Sequence, residues 1–245
     1  MTASSSARPS LRPTYKVSPV LYAVMRWLIG CLMRILYRYE IHGSENVPSQ
    51  GAIIVVVNHL HLLDPLAVAP AISRQIVTLA ADKWRSNPLI GVFLKLAGSI
   101  FVARGEVDRK ALRACLELLN DGGALAVAPE GTRSRTGQLQ RARPGAAYLA
   151  TRTNAMILPV AFWGVEKLRT WCKLRRPRCQ VIIGKPFRLR QSQDKPSTAE
   201  LQELADVMSI QIARLLPESY RGVYAESASA VEVGEADLPI VPICR

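Results

Sequence analysis

Two of the chain's three histidines, His59 and His61, stand directly after the apolar run Ile53-Ile54-Val55-Val56-Val57, separated from it only by Asn58, and Asp64-Pro65 follows. A neutral imidazole leaving a strand in this way can take a proton from a hydroxyl, provided a carboxylate fixes its tautomer and supports the imidazolium. Asp64 is the carboxylate in reach. On a regular helix residues five apart point about 140° away from each other, so a loop has to bring Asp64 back to His59. Asp64 before Pro65 also has the form of a helix start, with Asp as N-cap and Pro at the first position. A second chemistry stays open at this stage, with His59, His61 and Asp64 as three zinc ligands. The third histidine, His42, belongs to another segment, and Cys31, Cys115, Cys172, Cys179 and Cys244 have no ligand-like spacing, so no metal is expected.

Two further segments end in groups that suit a phosphate. Gly98-Ser99-Ile100-Phe101-Val102-Ala103-Arg104-Gly105 reads as a strand ending in Arg104. Ala124–Ala128 reads as a buried strand that runs into Pro129-Glu130-Gly131-Thr132-Arg133-Ser134. Guanidinium groups bind phosphate in a bidentate fork, and a glycine lets backbone approach a ligand closely. Each Arg by itself fits a solvated strand end equally well, as does Lys83. If the three strands are neighbours, however, a base and two guanidiniums share one sheet edge, where open α/β sheets carry their sites.

The elements that must position these groups alternate along the chain. Strands are expected at residues 37–42, 52–57, 76–80, 99–102, 124–128, 156–162 and 180–183, with helices at 65–73, 87–96, 107–120 and 144–153. Ser197-Thr198-Ala199-Glu200 is a capping box that opens a helix to Leu216. The pattern predicts an α/β fold, a mixed or parallel sheet of about seven strands flanked by helices. Four regions follow: a disordered arm over 1–16, an amphipathic helix and lead-in over 17–40, the main domain over 41–221, and an acidic disordered tail over 222–245.

Composition adds a partner. Lys and Arg outnumber Asp and Glu 32 to 19, a net charge of +13, so the surface must meet something anionic: nucleic acid, phospholipid headgroups or an acidic carrier. In the helix over 17–40, Leu21, Val24, Leu28, Leu32, Ile35 and Leu36 share roughly a third of the circumference, and Arg26, Arg34 and Arg38 lie on another arc. Its uncharged runs are shorter than a spanning helix needs, which predicts docking at a membrane interface; the alternative is packing on the domain core with Arg at the rim. A basic stretch with two tryptophans, 163–178, offers a second docking surface. No recognition-helix motif, RNP-like strand, KH loop or zinc knuckle is present, so nucleic acid is not expected as a partner. The cysteines have no C-x-x-C pairing, and no short apolar core with a small-residue cleavage site opens the chain, which together predict a reduced, cytoplasmic-side protein.

These segments resemble the glycerolipid acyltransferases, specifically the 1-acylglycerol-3-phosphate acyltransferases, over residues 50–190. Asn58-His59 with Asp64 matches the family's His-Asp block, Gly98–Arg104 its G-x-x-F-V-x-R block, Pro129–Ser134 its P-E-G-T-R-S block, and Ile157-Leu158-Pro159-Val160 its apolar-Pro block. The resemblance implies that His59 is a general base on an acceptor hydroxyl that attacks an acyl thioester, and that Asp64 orients it. It further implies that Arg104 and Arg133 hold the acceptor phosphate, that Glu130, Gly131 and Thr132 shape its pocket, that Pro159 forms an apolar wall, and that Lys83 is a further phosphate contact. The implied partners are an anionic phospholipid membrane at its cytoplasmic face, a lysophospholipid acceptor, and acyl-CoA or acyl-carrier protein as co-substrate, with no cofactor. Glycerol-3-phosphate, lyso-ornithine lipid or another lysophospholipid stays open as acceptor, as does a catalytically dead lipid-binding protein of the same fold. Two positions depart from the family: His61 stands where Ser is usual, and Ala128 where an aromatic residue is usual.

Overall fold

The computed structural model describes residues 17–88, 90–103, 108–168, 175–190, 195–230 and 240–242. Its first half runs α1 (Pro19–Leu36), β1 (Arg38–His42), β2 (Ile53–Val57), α2 (Asp64–Val68), β3 (Ile76–Ala81), α3 (Ile90–Leu96), β4 (Ile100–Val102) and α4 (Arg109–Asn120). The second half runs β5 (Ala124–Val127), α5 (Gly145–Thr153), β6 (Met156–Trp163), β7 (Arg178–Ile183), β8 (Phe187–Leu189), α6 (Thr198–Leu215), α7 (Ala225–Ser229) and β9 (Ile240–Pro242).

The sheet has the order β1-β7-β6-β2-β5-β3-β4, with β8 paired to β6 and β9 to β8. From β6 to β4 every neighbouring pair is parallel, while β7 and β8 run antiparallel to β6. The carboxyl ends of β2, β5, β3 and β4 therefore share one edge. Of the three strands that the sequence reading needed as neighbours, β2 and β5 are adjacent, whereas β3 stands between β5 and β4. β2 is buried because both faces are covered: Ile54 and Val56 pack into the cluster with α4, α5 and α6, and Ile53 and Val55 into the cluster with α1 and α2. A strand buried on two faces reads as a continuous apolar run, as this one does. Each such side chain contributes about 1.5–3 kcal/mol, which makes β2 a rigid floor for the loop that follows it.

Local signals placed the helix starts well. Asn87 Oδ1 accepts the Ile90 N–H at 2.8 Å, Asp108 accepts those of Lys110 and Ala111, and both halves of the Ser197–Glu200 capping box are formed. Pro159 lies inside a central strand, where a missing N–H normally leaves a gap in the ladder. Its backbone faces the side where the outer partner of β6 changes from β7 to β8, and its carbonyl accepts Gly184 N–H at 2.9 Å. The absent N–H falls at the break between two partners.

Two expectations need correction. The chain from Gly222 was expected to be disordered, but Tyr224 is buried, donates to Asp206 Oδ1 at 2.6 Å and accepts from Ala142 N–H at 2.8 Å. α7 packs Ala228 behind it, and β9 adds a strand to β8. The acidic average of the tail concealed one well-anchored tyrosine and one apolar strand. The second correction concerns the faces of α1. Tyr22, Ile29 and Met33 are buried against the domain, whereas Leu21, Val24, Leu28, Leu32 and Ile35 are exposed together with Val20 and Trp27. The helix is apolar on two opposite faces. By length and composition it also suffices to cross a membrane, because Arg26 and Arg34 interrupt its uncharged run without making it polar on average. The expected arm over residues 1–16 lies outside the described residues.

Candidate active site

Beyond Val57 the β2 backbone turns away from β6, and a side chain takes over the ladder. Asn58 is fully buried; its Nδ2 donates to Phe162 O at 2.7 Å and its Oδ1 accepts Phe162 N–H at 3.0 Å. This amide clamp fixes the point from which His59 leaves the sheet.

Asp64 does not cap α2. Its carboxylate turns back onto the preceding loop, where Oδ2 takes the Leu60 N–H at 2.8 Å and both oxygens take the His61 N–H at 2.9 and 3.0 Å. His59 Nδ1 lies 2.6 Å from Oδ2. Being the first residue of α2, Asp64 can reach N–H groups ahead of the helix, and those donors satisfy a carboxylate that would otherwise be buried at a cost. With Nδ1–H spent on the carboxylate, His59 keeps Nε2 as an acceptor. The His59 side chain is 27% exposed and that of Asp64 5%, so the base side of the pair is open and its support is closed. Such a unit can abstract a proton from a hydroxyl.

Segment 129–134 brackets His59 on both backbone sides. His59 N–H donates to Glu130 Oε1 at 3.1 Å, and His59 O accepts Ser134 N–H at 2.8 Å. Glu130 Oε2 accepts Gln140 N–H at 3.0 Å. Glu130, which the resemblance makes part of the pocket's shape, is thus buried and engaged by backbone through both carboxylate oxygens. Burial raises its carboxyl from the ordinary 4.5 to about 7, opposed by those two backbone donors. The folded protein therefore binds this proton more tightly than the unfolded chain. The associated stability is fully present below pH 4.5 and lost as pH rises through about 7. In urea unfolding at a series of pH values from 5 to 8, wild type should lose stability relative to Glu130→Gln, by about 3 kcal/mol at most. The difference should level off above pH 7; a flat difference across the range would mean a carboxylate ionised throughout.

An apolar cavity of about 460 Å³ opens beside His59, between the carboxyl edge of β2, β5 and β3 and helices α1, α3, α4 and α5. Its wall includes Tyr22, Met25 and Ile29 of α1, Phe93, Cys115 and Leu149, and its polar side chains are Arg26, His59, Asp64, Thr78, Asp108 and Arg143, with Gly131 between them. A volume of this size, mostly apolar with few polar groups, suits a small-molecule or acyl ligand. Ala128, small where the resembled family is aromatic, is part of the wall. Gly131 has φ +68°, and a Cβ there would meet Arg143 Cδ at 3.0 Å, so the position needs glycine for both backbone and space.

The remaining expected site residues fare differently. Thr132 and Arg133 follow Gly131 but are not part of the cavity wall, and Arg133 is exposed. Lys83 is exposed beside the Trp84 ring at 5.3 Å, also off the wall. Pro159 does not form the wall either: it packs toward Gly184 and α6, because residue alternation in β6 turns Phe162 toward the cavity and Pro159 away. Arg104 lies outside the described residues. His61 Nδ1 accepts Leu63 N–H at 3.3 Å, a local turn that helps present the His61 N–H to Asp64. In the basic stretch, residues 169–174 are outside the described set; of its other cations, Arg176 donates to the Arg34 and Tyr37 carbonyls and Arg178 pairs with Glu40 at 2.8 Å. Those two cations serve the fold. The reading of the sequence missed Asn58 as a clamp and Arg143 as a wall residue. Neither has a local signature, since Asn58 acts on a partner 104 positions away.

Residues 38–163 match the family model described as Acyltransferase. The 1-acyl-sn-glycerol-3-phosphate acyltransferase of Borreliella burgdorferi is 31% identical over 142 residues, 57% of this chain and 54% of that protein. A chloroplastic 1-acyl-sn-glycerol-3-phosphate acyltransferase of Arabidopsis thaliana is 30% identical over 159 residues, 62% of this chain and 44% of that protein. The chain thus spans about half the length of these relatives. Among solved structures, the 1-acyl-sn-glycerophosphate (LPA) acyltransferase PlsC from Thermotoga maritima superposes with a TM-score of 0.61 at 24% identity, covering 79% of each chain, a likeness of fold.

Proposed function

The chain belongs to the acyltransferase family, and from that premise we propose that it moves a fatty acyl group from a thioester to the sn-2 hydroxyl of 1-acylglycerol-3-phosphate, giving phosphatidate. The observation that carries this reading is the His59–Asp64 pair opening onto an apolar cavity. His59 Nε2 takes the proton of the acceptor hydroxyl as its oxygen bonds to the thioester carbonyl carbon. The C–S bond then breaks, and the thiolate recovers the proton from His59. Asp64 holds the ring and supports its positive charge, so no acyl-enzyme is needed. Glu130 acts by holding the His59 backbone, and the cavity takes an acyl chain. Arg104, Arg133 and Lys83 remain candidate anion contacts. The thioester donor, acyl-CoA or acyl-carrier protein, is a co-substrate, and no other cofactor is required.

The uncovered face of α1 supports membrane association. Trp27 and Ile35 are 66% and 63% exposed while the opposite face is buried in the domain, an arrangement that suits a helix lying in the interface with its domain attached. A lysophospholipid stays in the bilayer, and the same helix contributes Tyr22, Met25 and Ile29 to the cavity. We place this contact at the cytoplasmic face of the cell membrane.

One vesicle experiment with two arms tests the reading. Wild type, offered acyl-CoA or acyl-carrier-protein thioester, should acylate lysophosphatidate in preference to glycerol-3-phosphate, lyso-ornithine lipid or a neutral lysophospholipid. No turnover of lysophosphatidate with either donor would reject the acceptor. In the second arm, Trp27→Ser with Leu28→Ser should weaken co-sedimentation with anionic vesicles at least about tenfold, since two apolar side chains no longer leave water. Unchanged sedimentation would put the membrane contact elsewhere. Both residues are exposed, so the fold should be unaffected.

A further inference from the structure

Resting on the acceptor reading above, we infer that Arg143, a residue outside the sequence motifs of the site, holds the phosphate of the acceptor against His59. Two arginines among the described residues line the cavity, Arg26 and Arg143. Arg26 donates to Ile72 O. Arg143 has no side-chain hydrogen bond or ion pair among the described residues, and it is exposed, so its charge stays hydrated until a ligand arrives.

Its place is nevertheless fixed. Arg143 N–H donates to Pro129 O at 2.8 Å, and Pro144 follows, leading directly into α5. The aliphatic stem crosses Gly131 so closely that a Cβ there would stand 3.0 Å from Cδ and 3.3 Å from Nε. Segment 129–134 is in turn bonded to both backbone groups of His59. Arg143 and the catalytic histidine are therefore held by one short, continuous piece of backbone. Apart from Arg26, Thr78 and Asp108 the rest of the wall is apolar, so a phosphorylated lipid with its chain in the cavity leaves its headgroup beside His59 and Arg143. There a guanidinium with an unused planar fork meets a dianionic phosphate with complementary geometry. Arg133, the residue expected in this role, is two positions beyond Gly131 and off the wall.

Steady-state kinetics in mixed micelles separate this role from others. The comparison uses wild type, Arg143→Ala and Arg143→Lys on lysophosphatidate and on monoacylglycerol of the same chain. Arg143→Ala should raise the lysophosphatidate KM at least about tenfold, with kcat and the donor KM changed less than about threefold. Arg143→Lys should recover part of the loss, and monoacylglycerol turnover should be indifferent to either change. If monoacylglycerol turnover is too slow to measure, the rise in unfolding temperature given by lysophosphatidate replaces it, and Arg143→Ala should abolish that rise. An equal penalty on both acceptors, or one confined to the donor KM, would overturn the assignment; the latter would give the phosphate to the donor. Should wild type reject lysophosphatidate but accept another phosphorylated lipid, the same comparison on that lipid still decides about Arg143. If wild type uses lysophosphatidate and Arg143→Ala matches it, Arg143 alone loses its role.

Discussion

Replacing His59 by Ala should lower kcat by at least about two orders of magnitude, the range that a positioned general base contributes. The fold should survive, because each group the ring leaves behind keeps a partner. Asp64 still accepts from Leu60 N–H and His61 N–H, and the His59 backbone still bonds Glu130 and Ser134. Loss of activity with an unchanged unfolding midpoint would therefore report the missing base and not a collapsed site. Asp64→Asn should fall between wild type and His59→Ala, since an amide can turn either its oxygen or its donor group toward Nδ1 and no longer fixes the tautomer. A fully active His59→Ala would remove the mechanism.

Asn58→Leu should cause the largest loss of stability. Leu has the branched outline of Asn with more bulk, and it leaves Phe162 N–H and Phe162 O without partners in a place that water does not reach. Each unsatisfied buried backbone group costs about 1–3 kcal/mol, so the pair costs about 2–6 kcal/mol. In a chain of this size that lowers the thermal midpoint by roughly 5–20 °C. Asn58→Asp should also be destabilising, because a carboxylate cannot donate to Phe162 O. A drop of less than about 2 °C for Asn58→Leu would show that water or a shifted backbone replaces the clamp. Activity of the surviving folded fraction should fall as well, since the clamp sets the exit point of His59.

What could be read from the linear chain had short-range causes. The β-branched run at 53–57, the Asn87 helix start and the Ser197–Glu200 box are each decided within a few residues, and they lie where the pattern puts them. The juxtaposition of His59 and Asp64 was legible too, because a five-residue gap leaves few ways to join them. The way they join was not. Asp64 reads as a forward cap, and only the fold shows its carboxylate turned back to three donors in the preceding loop.

The sequence by itself determined the element order, the buried strand and the identity of the chemical groups at its end, because propensity, burial and capping act locally. The tertiary structure decided which strands are neighbours, that Asn58 stands in for a missing ladder partner, and that Arg143 rather than Arg133 shares the cavity wall with His59. It also decided that α1 spends one apolar face on the domain and leaves the other uncovered. The apolar arcs of that helix are equally plain in the chain. Choosing between them needs the shape of the surface against which one of them packs, and that surface exists only after residues far apart in sequence have met.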